Sequence, residues 1–244
     1  MLRKLSLILL AACVILLASG CNSRNNIQAS DYIIYATFQK NSFTAINIGG
    51  FWDVVFRQAE SHSVAIEMSD NLFEYLNIEV QNGVLHATLN TRRGVGIEFG
   101  NAGNPLITVY SPYISELNLS GFSNAIGWDT ITAQNFTLNA SGFVNININL
   151  DVETLNMDAS GSSTIQLSGY TNVADITLSG FGTISAFNLQ TQDARVIASG
   201  SSNINIAVSE YLNATAEGFS NVQYRGNPIV TQRTTGASNV RAED

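Results

Sequence analysis

Ser141-Gly-Phe-Val-Asn-Ile-Asn-Ile148 decides the fold, because its frame returns along the chain. Ser120-Gly-Phe-Ser-Asn124, Ser160-Gly-Ser-Ser-Thr164 and Ser179-Gly-Phe-Gly-Thr183 share it. So do Ser199-Gly-Ser-Ser-Asn203, Glu217-Gly-Phe-Ser-Asn221 and Thr235-Gly-Ala-Ser-Asn239. The central glycines, at 121, 142, 161, 180, 200, 218 and 236, follow one another at 18–21 residues. Seven copies at a near-constant period imply a solenoid, in which each unit buries its apolar face only against its neighbours.

The periodicity inside the units says which solenoid. Two and four residues before each of the first six glycines come Leu117/Leu119, Leu138/Ala140, Met157/Ala159, Ile176/Leu178, Val196/Ala198 and Ala214/Ala216. That is the alternation of a strand with one face inward. Four residues after the glycine stand Ile146, Ile165, Ile184, Ile204, Val222 and Val240, with Ile126 joining the column if one residue is bulged. No unit carries the 3.6-residue period of a helix. The expectation is an all-β, parallel β-helix-like solenoid of about seven coils of 18–21 residues, a rod roughly 34 Å long at the strand spacing. Within it the glycine marks a turn. The column Asn124, Asn145, Thr164, Thr183, Asn203, Asn221 and Asn239 then becomes a ladder of side-chain hydrogen bonds.

The residue after each glycine is Phe122, Phe143, Ser162, Phe181, Ser201, Phe219 or Ala237. Facing out, Phe122, Phe143, Phe181 and Phe219 form an aromatic binding strip for sugar rings or a protein. Facing in, they fill the core of the turn. The inward reading is the expectation, because exposed phenylalanine is costly and the substituting residues are small.

Outward from the repeat (residues 111–244), the order weakens. Residues 31–110 are strand-rich but irregular, either degenerate early coils or a cap of the same domain. Phe43–Ile48 and Ser63–Met68 alternate like strands. Ile78–Val80 and Val84–Leu89 flank Asn82-Gly83, the favoured two-residue hairpin turn. Arg92–Asn104 is polar and glycine-rich, hence a loop, and Leu106–Tyr110 resumes a strand. Arg233, Arg241, Glu243 and Asp244 put charge on the last edge, which discourages further strand pairing.

The first twenty residues are an address. A cationic start at Arg3 and Lys4 precedes the apolar run Leu5–Leu17, too short to span a bilayer as a helix and suited to a signal peptide. Leu17-Ala18-Ser19-Gly20-Cys21 resembles a bacterial lipoprotein signal, with Cys21 lipidated after cleavage. A competing site ends at Cys13, but it leaves an apolar run of only Leu5–Leu10 and an apolar stretch on the mature chain. Residues 21–30 read as a polar tether. With Cys13 removed and Cys21 acylated, no thiol remains for a disulfide, a zinc site or a nucleophile.

Composition narrows the chemistry. The 244 residues are 45% hydrophobic and 12% charged with net charge −8, which excludes a disordered chain and a phosphate-tracking nucleic-acid binder. The two histidines, His62 and His86, lack spaced partners and read as solvent-facing, so a hydrolase triad has no support. Gly94-Val-Gly-Ile-Glu-Phe-Gly100 has the wrong glycine spacing for a dinucleotide loop. Asp129 and Asp151 are placed to neighbour each other on adjacent coils, as an acid pair or cation site, or to be two solvated corners. The solvated corner is the expectation, so no catalytic residue, metal or cofactor is assigned.

The mature chain resembles the bacterial auto-transporter adhesin head GIN domain family. The resemblance rests on Phe43-Thr-Ala-Ile-Asn-Ile-Gly-Gly-Phe-Trp-Asp-Val-Val-Phe56, the hairpin ending Leu85-His-Ala-Thr-Leu89, and the recurring Ser-Gly-x-x-Asn/Thr-x-Ile units. It implies a right-handed β-helix related in shape to pectate lyases, on an exported or lipid-anchored chain, with adhesion as the suggested role. The expectation is a non-enzymatic protein of the bacterial cell envelope, lipid-anchored to the extracytoplasmic side of a membrane, with an unidentified protein or glycan partner. The alternatives are a β-helical carbohydrate-active lyase or hydrolase and a glycan-binding module without turnover.

Overall fold

The computed structural model describes residues 26–126 and 129–243. The leader 1–20, Cys21, the first part of the tether and Asp244 lie outside them. The strands before the repeat are β1 (Ile27–Gln28), β2 (Ile33–Gln39), β3 (Ala45–Gln58), β4 (Ser63–Ser69), β5 (Leu76–Gln81), β6 (Val84–Leu89), β7 (Ile97–Glu98) and β8 (Leu106–Ser111). The repeat supplies β9 (Glu116–Ala125), β10 (Ile131–Ala159), β11 (Thr164–Gly180), β12 (Thr183–Gly200) and β13 (Asn203–Gly218). It closes with β14 (Asn221–Arg225), β15 (Ile229–Gly236) and β16 (Asn239–Ala242).

From β9 to β16 every pairing is parallel, and the register superposes unit on unit. Ile146 lies against Ile165, Ile165 against Ile184, Ile184 against Ile204, and Val222 against Val240. These residues are buried, as are the apolar residues two and four places before each of the first six glycines. The result is a β-solenoid of about six turns. One column member differs from expectation. Ala125, not Ile126, pairs with Ile146 and is buried, while Ile126 is exposed, so no bulge is inserted there.

The glycine at each corner is required by what lies beneath it. Gly121, Gly142, Gly161, Gly180, Gly200, Gly218 and Gly236 all have positive φ. A Cβ on any of them would sit 2.5–2.7 Å from the carbonyl oxygen of the glycine one turn below. That oxygen is already engaged. Gly142, Gly161, Gly180, Gly200 and Gly218 each accept a 2.8 Å hydrogen bond from the N–H of the residue after the next glycine.

The solenoid begins earlier than the repeat suggests. Residues 45–54 of β3 pair in parallel with residues 116–125 of β9, placing Gly50 under Gly121 and Val54 under Ala125. The chain then leaves the stack and returns 71 residues on. The excursion builds an end sheet in which β4 runs antiparallel to β2 and to β8, and β8 runs parallel to the second half of β3. Residues 31–110 are thus part coil and part cap. The hairpin β5–β6 turns at Asn82 and Gly83, both with positive φ, as an Asn-Gly turn demands.

Two boundaries move. The 92–104 stretch is not all loop, because β7 pairs with β1. By the same pairing Ile27 and Gln28 are docked and Ala29 is buried, so residues 27–29 belong to the folded body and not to a tether. The core is one continuous cluster from Ala29 to Val240, with Trp52, Phe43, Phe56 and Phe136 its bulkiest members.

Candidate functional site: an outward aromatic row

The corner that carries the glycines also displays the phenylalanines, and they point out. Phe122, Phe143, Phe181 and Phe219 expose 49%, 56%, 77% and 71% of their surface, which overturns the inward expectation. The reason is the alternation of the strand around the corner. The inward place belongs to the next residue: Ser123, Val144, Ser163, Ser202 and Ser220 are all buried. At Ser123 and Ser202 the hydroxyl caps a backbone carbonyl of the same turn, that of Ser120 and of Ser199, whereas the buried Ser163 Oγ has no such partner. A phenyl ring would not fit.

Exposure is moderated by stacking. Phe51 and Phe122 lie face to face with centroids 5.0 Å apart and planes within 2°, and Phe122 and Phe143 at 4.8 Å and 6°. These distances reproduce the spacing between hydrogen-bonded strands, so the backbone ladder itself sets the stack. Such pairs contribute roughly 0.5–1.5 kcal/mol each beyond area burial. Phe99, from the segment between β7 and β8, leans on Phe51 at 5.5 Å and ends the row. Beyond Phe143 the row thins: exposed Ser162 separates Phe143 from Phe181, and exposed Ser201 separates Phe181 from Phe219.

Beside the row runs the Asn/Thr column. Asn124 Nδ2 donates to Asp53 Oδ1 at 2.7 Å and Asn145 Nδ2 to Asn124 Oδ1 at 3.0 Å. Asn221 Nδ2 donates to Asn203 Oδ1 at 3.1 Å, and Asn239 is in register above Asn221. Thr164 and Thr183 stand between the two runs, at the same register. A second rung pair, Asn139 to Asn118 at 2.7 Å, flanks the other side of the corner.

The acid pair does not assemble. Asp129 accepts from Gln58 N at 2.9 Å and from Arg57 at 3.2 Å, an ion pair exposed on both sides. Asn149 reaches Thr130 across the same coils, so Asp151 lies farther along the strand, where its register partner above is Tyr170. His62 is also placed differently from expectation: it is half-buried, its Nε2 3.1 Å from Phe43 O and its ring edge-on to Phe43. His86 is half-buried on β6. Among the described residues no three of His, Cys, Asp and Glu gather as metal ligands.

A solenoid of stacked Ser-Gly-x-x-Asn corners, opened by β3 and capped by an antiparallel sheet, is matched by a known family. Residues 42–228 fit the family described as "Putative auto-transporter adhesin, head GIN domain". The chain belongs to this family. Crystal structures share the GIN-domain fold. A "putative adhesin" from Bacteroides fragilis superposes with a TM-score of 0.83 at 21% identity, covering 89% of this chain and all of that one. A "putative adhesin" from Parabacteroides merdae gives 0.64 at 22%, covering 90% and 100%. A "putative lipid binding protein" from Parabacteroides distasonis gives 0.72 at 18%, also covering 90% and 100%. No curated protein sequence matches the chain. Within the GIN-domain frame, Phe51 and Phe99 are the row members that sequence reasoning missed. Phe51 does follow a glycine, but its 71-residue separation from Gly121 hides it from a period of 18–21.

Proposed function

We propose that this GIN-domain protein is a lipid-anchored, non-catalytic adhesin-like protein of the cell envelope, held by Cys21 and engaging a partner surface through its phenylalanine row. The observation that carries the reading is the row itself: stacked rings left in water on a rigid scaffold. Exposed aromatic surface of this kind is typical of interaction sites, since large rings contribute contact area at low entropic cost. Membership of an adhesin family supports the same role, and the resemblance of Leu17-Ala18-Ser19-Gly20-Cys21 to a lipoprotein signal supports the anchor. The partner is a protein or a glycan.

Two measurements test it. Full-length protein carrying Phe143→Ala and Phe181→Ala should retain at least tenfold less envelope polysaccharide or envelope protein than the unchanged chain, with a melting temperature lowered by no more than about 6 °C, the cost of the lost Phe122–Phe143 stack. Equal retention refutes the contact role, and unfolding of both variants makes the rings structural. For the anchor, Cys21→Ser should move the protein from the membrane fraction to the soluble fraction and abolish incorporation of labelled palmitate. Unchanged fractionation and labelling would place the anchor elsewhere.

A further inference from the structure

A second site lies on another corner of the solenoid. Asp151, Tyr170, Gln190, Ala207 and Arg225 stand in register on five successive rungs. The alanine is the gap. Where it replaces a longer side chain, a groove of about 460 Å³ opens over Ala207 and Val208, rimmed by Tyr170, Gln190, Gln192, Glu210, Arg225 and Asn227. The rim is held in place. The Tyr170 hydroxyl donates to Asn172, whose amide donates in turn to Glu153. Gln192 Nε2 donates to Glu210 Oε1 at 2.9 Å. The turn before Asn227 is fixed by Gly226, at φ +103, where a Cβ would come within 2.1 Å of Val208 O.

The decisive group is Arg225. Its guanidinium lies over the Phe187 ring at 4.0 Å, which fixes its plane. Among the described residues, Arg57 and Arg195 are ion-paired with acids, and Arg225 has no such partner. In a chain of net charge −8, a rigid cation without an acid, at the edge of a groove, is complementary to an anion. A single cation with Glu210 beside it suits one carboxylate and disfavours a polyphosphate or a nucleic acid. The half-exposed Tyr170 ring supplies a platform for a pyranose face, and the amides of Gln190, Gln192 and Asn227 supply partners for hydroxyls.

We propose that this groove binds a hexuronic-acid unit of an acidic polysaccharide, with the sugar ring on Tyr170 and its carboxylate on Arg225. The site is separate from the phenylalanine row. Calorimetric titration of the full-length protein in detergent with trigalacturonate, and with its methyl ester, tests it. The acid should bind saturably and the neutral ester at least tenfold more weakly. Arg225→Gln should weaken the acid at least tenfold, and Arg225→Lys should retain part of its affinity. Ala207→Leu, which fills the floor and removes no polar group, should block both sugars, and it decides the matter if Arg225→Gln unfolds. The Phe143→Ala, Phe181→Ala protein should bind the acid as the unchanged chain does. No saturable binding, equal affinity for acid and ester, full affinity in Ala207→Leu, or loss in the phenylalanine variant would each overturn the assignment.

Discussion

Replacing Gly161 by alanine should lower the melting temperature by about 6–12 °C. Gly161 has φ +81, where an L-residue is strained by about 1–3 kcal/mol. Strain is only half of the cost. The new Cβ would lie 2.5 Å from Gly142 O and 2.9 Å from Gly142 N, both backbone atoms with no rotamer to relieve the clash. Moving Gly142 O would also break its 2.8 Å bond from Ser162 N. About 3 kcal/mol in all is a conservative sum, and 1 kcal/mol shifts a chain of this size by roughly 2–4 °C. Gly83→Ala separates the two effects. Gly83 has nearly the same φ, +78, with nothing within 4 Å of a new Cβ. It should lose only the conformational part, about 1–2 kcal/mol. Equal losses by circular dichroism would show that contact between stacked corners is not what excludes a side chain.

The same corner shows what could be read in the sequence and what could not. Strand alternation is a local property, so the inward leucines and isoleucines on both sides of the corner were legible as periodicity. At the corner itself the alternation passes through a residue with positive φ, and two letters alone do not say which faces in. Phenylalanine drew the inward reading by its hydrophobicity, and serine, the buried one, drew none. Only the stacked backbone, which turns Ser123 toward the carbonyl of Ser120 and sets Phe122 against Phe51, decides it. Ile126 failed for a related reason. The column place was already filled by Ala125, and a small residue beneath Ile146 is invisible to a search for large apolar letters. The first rung in β3 was hidden by topology, since a long excursion separates it from the unit it lies under. The Tyr170–Arg225 groove had no signal at all. It depends on Ala207 standing between longer side chains on neighbouring rungs, a juxtaposition that exists only once the register is known.

Ile184→Ala should cost about 2–5 kcal/mol, read as a fall in the urea midpoint with an unchanged slope. Ile184 is fully buried and lies in register between Ile165 and Ile204, themselves fully buried. The upper part of the range is expected because the site cannot collapse. Its neighbours above and below are held at the strand spacing by the parallel ladder, including the bond from Thr183 N to Ser163 O at 2.8 Å. A void left there stays open, and the cost of a buried truncation rises with the volume left unfilled. Position along the rod gives a further check. In a solenoid, stability is close to a sum over contacts between adjacent units, so a central rung loses two interfaces and a terminal rung one. Val240→Ala, on the last rung, should therefore cost less than its central counterpart Val222→Ala. Ile126→Ala, at an exposed position, should change stability by no more than about 0.5 kcal/mol. If Ile126→Ala and Ile184→Ala proved equally damaging, the apolar spine would not be what holds the rungs together. The hydrogen-bond ladders would then have to carry a stability that, at about 1 kcal/mol net per bond, depends on burial to keep water away from them.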